Sequence, residues 1–495
     1  MHQIILNLDK RSQIMERLFR YEKVATKIED IIVRNHLKPG DKIPSLRDVV
    51  KELGVSLATV VQAYIILETK GIVIPKPKSG YFVNSSQHNR LKPLVPLIVS
   101  QVPATIEVNT IVTEMLKNIR KYAKIDFATM APPPELMPIT KINKAMINAS
   151  KETSNGNYEY PYLEGHPRLL KQIALHTIGW NKSISQDDVL ITNGCIEAIS
   201  LCLSAVTKPG DIVAIECPTY PGILQCLESK GLRAFKIGID PETGLNLDEL
   251  EAGLNTNRIA ACVFSPSLHN PVGCSMPEEN KIHLVKMLGE RNIPLIEDDA
   301  LGEIYFGTNR PLPAKAYDEY DNVLYCSSFS KTLTPGFRIG WVIGGKRHAD
   351  IERLKFSTNV STNTILQDTI GRYLESGNYH NHLKKLRAAV QVHVTKYRNA
   401  ISNYFPPDTK ISLPKGGYSL WIELPNGISA LELQNLALRT GVAFSPGQVS
   451  STSTNFYQYI RINCSLMYNN KIDHALHVLG KLVYTQLKRS GKALA

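Results

Sequence analysis

The sequence predicts an α/β protein in which a small N-terminal module of three helices and a β-hairpin precedes a much larger body with a mainly parallel sheet. Near the N-terminus, apolar residues recur at helical spacing and are followed by two short β-prone runs. From about residue 125, short apolar runs alternate with segments of helix length. The length of 495 residues is also too great for one ordinary domain.

Composition and charge indicate which class of protein this is and what kind of partner it has. With 43% hydrophobic and 21% charged residues, the chain is neither disordered nor collagen-like. The formal net charge is +12, and the first 92 residues contain 16 Lys and Arg against 9 Asp and Glu. This concentration of positive charge favours an anionic partner for the N-terminal module, although a solvated surface would also be charged.

The cysteines and the apolar segments predict the cellular compartment of the protein. All eight cysteines lie between Cys195 and Cys464, without a Cys-x-x-Cys pair or histidines at zinc spacing, which indicates reduced thiols and no metal site. We expect no signal peptide, because the N-terminus has only a short apolar run at residues 4–6. The uncharged segment 93–106 is too short to span a bilayer. The sequence therefore predicts a cytoplasmic protein with no membrane partner.

Three helices are expected in the N-terminal module. The first extends from Tyr21 to Asn35, where four apolar residues share one face. The second starts after the N-cap Ser45 and stops at Gly54, and the third starts after the N-cap Ser56 and ends near residue 71. The last two helices, separated by a short turn with a glycine, have helix-turn-helix spacing.

A β-hairpin completes this module. Two β-prone runs, residues 72–74 and 81–83, flank a turn rich in Gly, Pro and Ser that contains two lysines. Three helices and a hairpin predict a winged helix-turn-helix domain over residues 1–84, with the third helix in the major groove and the wing lysines at phosphates. Residues 85–124 are predicted to be a linker, in which Val112, Met115, Leu116 and Ile119 form a short amphipathic helix that packs on the body.

The strings Leu37 to Arg47, Thr59-Val60 and Gly80 to Val83 resemble the DNA-binding domain of the GntR family of bacterial regulators. The resemblance implies double-stranded operator DNA as partner and seven DNA-contacting residues: Ser45, Arg47, Ser56, Thr59, Lys76, Lys78 and Gly80. On the residues alone, Arg47 could also be a surface charge and Ser45 only a helix cap, but the helix cap and the basic hairpin agree with DNA contact.

The third helix departs from the family pattern. Many members have basic residues just after its N-cap and further along, where this chain has Leu57, Val61 and Gln62. Fewer arginines mean fewer bidentate guanine contacts. Sequence preference would then depend on Arg47, on Gln62 or on DNA shape.

The larger body is predicted from five short apolar runs separated by helix-length segments. These runs cover residues 188–192, 212–215, 259–264, 293–296 and 323–325. This alternation predicts a largely parallel sheet covered by helices, with functional residues at the carboxyl ends of the strands.

Distinctive strings lie at those ends. They include a Gly turn that opens a helix at 192–198, an aromatic between two prolines at 218–221, and the segment 327–341, which contains Lys331 and Arg338. An aldehyde cofactor with a pyridine ring and a phosphate requires a lysine amine, a carboxylate, an aromatic ring and cationic and N–H donors. Residues of these types occur in the chain in this order: Gly194, Tyr220, Asn270, Asp298, Ser328, Lys331 and Arg338. This ordered set resembles the fold type I aminotransferases, which use pyridoxal 5′-phosphate (PLP), over about residues 125–485. The resemblance implies a smaller C-terminal α+β part from about residue 385.

This resemblance implies a role for each matching residue. Lys331 would form the Schiff base and Asp298 would pair with the ring nitrogen, so these two would be catalytic in an enzyme. Two residues would contact the ring, Asn270 through its oxygen and Tyr220 by stacking. The phosphate would be held by Ser328, Arg338, the amides of Gly194, Cys195 and Ile196, and Tyr160 across a dimer interface. Arg461 would bind a substrate carboxylate, as suits a guanidinium.

Ordinary structural roles also exist for these residues. Lys331 could be solvated, Asp298 a helix cap, Tyr220 a packing residue and Arg461 an edge-strand charge, while Cys195 could be a reactive thiol or simply part of the phosphate loop. One departure bears on activity, because Ala300 and Leu301 replace a tyrosine that donates to the cofactor's phenolic oxygen in the enzymes. Cofactor binding tolerates this loss better than fast transamination does.

The combination of both parts resembles the MocR-type subfamily of GntR regulators over nearly the whole chain. It implies a transcription factor that senses PLP, or an amino acid or amine effector, and that forms a head-to-tail homodimer. Two alternatives remain open from the sequence: a working aminotransferase with an appended DNA-binding domain, and a body that serves only as a dimerisation scaffold.

Overall fold

A computed structural model describes residues 20–35, 37–38, 40–69, 72–76, 79–83, 91–96, 99–152, 162–180, 182–452 and 456–489. The chain divides into two compact units, residues 1–91 and residues 92–495. In the described ranges, no helix combines the length and the apolar character needed to cross a membrane.

The first unit has the expected three helices and hairpin. The helices are α1 (Arg20–Arg34), α2 (Leu46–Leu53) and α3 (Leu57–Thr69), and the strands are β1 (Val73–Lys76) and β2 (Gly80–Val83). The end signals of α2 act as predicted. Ser45 and Asp48 form a reciprocal capping box at its start, and Gly54 adopts a left-handed conformation at φ 62° at its end.

The core of this unit explains why the three helices pack. Apolar residues from α1, α2 and α3 are buried together with residues of the hairpin: Val24, Ala25, Ile28, Val49, Val60, Ala63, Tyr64, Leu67, Val73 and Val83. The antiparallel strands β1 and β2 pair from Val73–Val83 to Lys76–Gly80. The arrangement is a winged helix, as predicted.

The second unit contains twelve further helices and fifteen strands among the described residues. The helices are α4 (Asn109–Tyr122), α5 (Ile139–Glu152), α6 (Pro167–His176), α7 (Cys195–Val206), α8 (Pro221–Ser229), α9 (Leu247–Thr256), α10 (Glu278–Glu290), α11 (His348–Asn359), α12 (Thr364–Glu375), α13 (Asn378–Tyr404), α14 (Ala430–Arg439) and α15 (Asn470–Arg489). The strands are β3 (Lys92–Pro93), β4 (Ile125–Asp126), β5 (Val189–Thr192), β6 (Ile212–Cys217), β7 (Arg233–Asp240), β8 (Gly244–Leu245), β9 (Ile259–Phe264), β10 (Leu295–Asp298), β11 (Val323–Ser328), β12 (Gly340–Ile343), β13 (Lys410–Ile411), β14 (Ser419–Glu423), β15 (Val442–Ala443), β16 (Ser445–Pro446) and β17 (Tyr459–Asn463).

The main sheet has the strand order β5-β12-β11-β10-β9-β6-β7-β8. The strands from β11 to β7 are parallel, whereas β12 is antiparallel to both of its neighbours. Buried apolar side chains cover both faces, as a parallel sheet between helix layers requires. The carboxyl ends of the parallel strands therefore meet at one edge, where Asp298 ends β10 and Ser328 ends β11.

One predicted strand is displaced by two residues. The apolar run at 293–296 predicts a strand, but β10 begins at Leu295 and ends at Asp298. The amide of Ile293 donates to Leu288 at the end of α10 at 2.9 Å, and Pro294 has no N–H to donate. The shift makes Asp298 the last strand residue.

The smaller part of this unit is built from two distant stretches of the chain. Its sheet has the order β16-β17-β14-β13-β3, so a strand at residue 92 pairs with one at residue 410. Likewise β4 pairs with β15. The amphipathic helix predicted in the linker is α4, whose Val112 and Ile119 are buried, and the amides of Val108 and Asn109 donate to Glu228. The strands β3 and β4 and the helix α4 are thus packed on the body.

Candidate functional site

A cavity of about 260 Å³ lies at the carboxyl edge of the main sheet. Nine of the residues singled out from the sequence line it: Cys195, Ile196, Tyr220, Asn270, Asp298, Ser328, Lys331, Arg338 and Arg461. Gly194 lies directly behind, against Arg338. The structure therefore brings residues that are up to 266 positions apart in the sequence, Cys195 and Arg461, around one cavity.

Lys331 follows β11, where a short turn of 3₁₀-helix at residues 329–331 points its amine into the cavity. The Nζ atom donates to the carbonyl of Met130 at 2.5 Å. Burial, together with the nearby guanidinium of Arg461, lowers the pKa of Lys331 to about 8. A substantial fraction of the amine is therefore neutral near physiological pH, which is the form that attacks an aldehyde.

This lowered pKa makes the capture of an aldehyde pH-dependent in a specific window. We expect the rate at which cofactor-free protein captures PLP to rise about tenfold per pH unit below pH 8, and to level off above it, because only the neutral amine reacts. Rapid-mixing absorbance would measure the rate, with Nα-acetyl-lysine as the solvated control. A rate that still rises toward the ordinary lysine pKa of 10.5 would contradict the burial of this amine.

Asp298 provides a carboxylate to the same cavity. Two donors from described residues, the amide of Ala300 at 3.1 Å and the thiol of Cys195 at 3.4 Å, both bind Oδ1. Burial raises the pKa of Asp298, and it raises the pKa of the Cys195 thiol well above its ordinary value. A raised pKa keeps the Cys195 thiol protonated, and a protonated thiol is not a reactive nucleophile. The structure therefore favours the interpretation of Cys195 as part of the helix start.

The start of α7, beside the cavity, is shaped for an anion. Gly194 precedes α7 at φ 87° and provides no side-chain cap, so the first amides of that helix remain available. The Arg338 guanidinium packs on this turn and donates to the carbonyl of Asn193 at 3.1 Å and to Ser330 Oγ at 3.2 Å. A Cβ on Gly194 would lie 2.3 Å from Arg338 Nη2. Ser330 was not predicted from the sequence.

Arg461 lies on β17 and is only 6% exposed. Its Nη1 donates to Asn270 Oδ1 at 3.1 Å and its Nη2 donates to the carbonyl of Ala128 at 2.6 Å. Its Nε is buried and has no hydrogen-bond partner among the described residues. An unpaired donor on a buried guanidinium suits a carboxylate ligand.

One wall of the cavity was missed by the sequence analysis. It is lined by Val112, Met115 and Leu116 of α4, together with Leu268 and the pair at positions 300 and 301. The amphipathic spacing of α4 indicated that it packs on the body, but spacing alone does not specify which surface it covers. Ala300 and Leu301 both line the cavity, so this position supplies apolar groups where a tyrosine hydroxyl was noted as missing.

The predicted DNA-contacting residues lie on the first unit. Ser45 caps α2, Arg47 is exposed, and Lys76 is exposed with its Nζ 4.2 Å from the Phe82 ring centroid. Ser56 Oγ accepts from the amide of Thr59 at 3.2 Å. Gly80 opens β2 at φ 103°. Lys78 and Tyr160 lie outside the described residues.

Comparison with protein families assigns both parts. Residues 124–479 match the family described as aminotransferase class I and II. Residues 20–83 match the bacterial regulatory proteins of the gntR family. The fold and the cavity thus define an aminotransferase-like PLP domain joined to a winged helix-turn-helix module.

Relatives share this combination over their whole length. The chain is 36% identical to the HTH-type transcriptional regulator YdcR of Escherichia coli K12, covering 94% of this chain and 100% of that protein. It is 33% identical to the regulator YjiR of the same organism, covering 95% and 100%. The chain belongs to this family of GntR-type transcriptional regulators with a class I and II aminotransferase domain.

Solved structures resemble the second unit. The α-aminoadipate aminotransferase LysN of Thermus thermophilus, complexed with N-(5′-phosphopyridoxyl)-L-leucine, is 28% identical with a TM-score of 0.70, covering 76% of this chain and 95% of that one. A kynurenine aminotransferase of Pyrococcus horikoshii is 28% identical with a TM-score of 0.71, covering 77% and 95%. The cofactor of this domain is PLP, and the buried Lys331 amine, the Arg338 guanidinium and the helix start at Gly194 fit its aldehyde and phosphate.

Proposed function

We propose that this chain regulates transcription by coupling DNA binding of the winged helix to the occupancy of the cavity by PLP and by an amino acid or amine. The observation that supports this proposal most is that Lys331, Asp298 and Arg461 line one cavity beside the helix start at Gly194. The residues at positions 300 and 301, which also line this cavity, are apolar. The set is adequate to hold a cofactor, but it lacks the tyrosine hydroxyl that the enzymes provide.

Each residue would have a defined task toward the cofactor. Lys331 Nζ would attach PLP covalently, and the Asp298 carboxylate would hold the ring nitrogen protonated. The α7 amides and Arg338 would bind the phosphate. Tyr220, which is 37% exposed, would cover the ring, and Asn270 would orient its oxygen. Bound PLP supplies an aldehyde that condenses with amines and a ring that withdraws electrons.

The same cavity suggests the class of effector. Arg461 offers a guanidinium for a carboxylate, and the wall formed by Val112, Met115, Leu116, Leu268 and Leu301 is apolar. We therefore favour an amino acid with an apolar side chain. In sequence, α4 follows the connection from the DNA-binding module. A ligand that binds more tightly when α4 is in one of two arrangements would therefore change the fraction of the protein that can bind DNA.

We further propose that the protein works in the cytoplasm as a head-to-tail homodimer. The support is the resemblance to dimeric fold type I proteins, in which the position of Tyr160 reaches the phosphate of the neighbouring subunit. Two copies would bring two winged helices to neighbouring half-sites of one operator.

Arg47 tests the DNA-binding part of this proposal. Replacing Arg47 by alanine should weaken binding to the DNA upstream of the protein's own gene about 5-fold or more, because a bidentate arginine contact with a base is typically worth about 1–3 kcal/mol. Lys27→Ala removes an exposed positive charge from α1 of the same module and serves as the matched control. Fluorescence anisotropy at a fixed salt concentration measures both. Equal affinities of Arg47→Ala and Lys27→Ala would remove Arg47 from the interface.

A second candidate function is transamination, which the presence of Lys331, Asp298 and Arg461 in one cavity favours. The discriminating measurement is turnover of amino acids with 2-oxoglutarate, followed in the parent and in Leu301→Tyr. A regulator should turn over slowly and gain rate when the tyrosine is restored. Turnover at ordinary aminotransferase rates in the parent would favour the enzyme.

A further inference from the structure

The helix predicted to enter the major groove, α3, has an apolar patch at the start of its outer side, next to the partly exposed Thr59 and Gln62. Its buried side is formed by Val60, Ala63, Tyr64 and Leu67. On the other side Leu57 is 54% exposed, Ala58 is exposed and Val61 is partly exposed. Residues three and four positions apart share a helix face, so these three side chains form one patch at the start of α3.

The polar groups at the start of α3 are engaged with each other. Ser56 Oγ and Thr59 Oγ1 are 2.8 Å apart, and the same Ser56 oxygen accepts the Thr59 amide. The sequence of α3 contains no lysine or arginine. Bidentate guanine contacts, which use guanidinium or ammonium donors, are therefore not available from this helix.

Positive charge lies instead on the elements around α3. Arg47 and Lys51 are exposed on α2, and Lys42 and Lys76 are exposed near or on the hairpin. This distribution matches duplex DNA, whose phosphates flank the groove and whose base edges lie in its floor. The one apolar group on the floor of the major groove is the C5 methyl of thymine.

We propose that α3 recognises thymine methyl groups through Leu57, Ala58 and Val61, while the surrounding basic side chains bind phosphates. The inference rests on the proposed DNA-binding function and adds the chemistry of its sequence preference. Operator half-sites would contain thymines at the positions that face the start of α3.

Deoxyuridine tests this inference, because it lacks only the methyl group. The full-length protein first selects its best duplex from a random-sequence library, and that duplex is then prepared with thymine or with uracil at every thymine position. We expect the uracil duplex to bind at least about fourfold more weakly, the change expected for one buried methyl group. In Leu57→Ala the ratio between the two duplexes should fall toward one.

Two controls separate this effect from others. Val33→Ala truncates another exposed apolar side chain of the same unit, 71% exposed on α1, and should keep the parent ratio. A ratio that stays unchanged in Leu57→Ala would mean that uracil alters DNA shape rather than a contact, which overturns the inference, as would equal binding of both duplexes by the parent. Failure to select any duplex would instead overturn the proposed DNA-binding function.

Discussion

Lys331→Ala is expected to abolish covalent retention of PLP. Borohydride reduction of the parent should fix one cofactor on each chain, and the variant should retain none, because no other amine was found to line the cavity in the described part of the chain. Mass spectrometry of the reduced protein measures this directly, and thermal unfolding verifies that the variant is folded.

Lys355 provides an internal control for this result. Burial also lowers its pKa to about 8, but it does not line the cavity, and its Nζ donates to the carbonyl of Leu163. Lys355, whose pKa is lowered but which lies outside the cavity, should therefore not be labelled by PLP after borohydride reduction. Cofactor found on Lys355, or retained by Lys331→Ala, would show that amine reactivity and not the site determines attachment.

Gly194→Ala is expected to weaken PLP binding by about 10- to 100-fold. The added Cβ would lie 2.3 Å from Arg338 Nη2, so the guanidinium must move out of the phosphate cradle. Hydrogen bonds to a charged group contribute about 1.5–3 kcal/mol, which corresponds to that range of affinity. Equilibrium titration of cofactor-free protein with PLP measures the loss.

Gly210→Ala is the matched control for backbone strain. Gly210 has φ 91°, close to the 87° of Gly194, but no atom lies within 4 Å of an added Cβ. Both variants should lose about 1 kcal/mol or more of unfolding free energy, because left-handed backbone disfavours alanine. Only Gly194→Ala should also lose PLP affinity. An equal loss of PLP affinity in both variants would mean that backbone strain, rather than displacement of Arg338, weakens PLP binding.

Much of the cavity follows from one rule that the sequence alone supports. Asp298 and Lys331 each follow an apolar run, and parallel strands end at the same edge of a sheet, so their side chains meet. Gly194 was recognised as a helix-opening turn, but the packing of Arg338 on its Cα depends on β12, which is antiparallel to its neighbours. Short-range patterns do not specify such a contact.

Other features depend on pairings between distant segments. The two-residue strand β3 has no apolar alternation, and its pairing with Lys410–Ile411 follows only from the folded chain. Similarly, the spacing of α4 predicts a buried face, but Leu116 on that face is 49% exposed and lines the cavity together with Met115. The bond from Arg461 to Asn270 joins residues 191 positions apart.

The central claim is that the contents of the cavity control DNA binding. The most direct test measures the affinity of the full-length protein for its selected duplex, with PLP present, during titration with apolar amino acids. We expect at least one amino acid to change the DNA affinity of the parent and to leave that of Lys331→Ala unchanged, because its effect requires the bound cofactor. DNA affinities that are independent of PLP and amino acids, or that respond equally in both proteins, would contradict the claim.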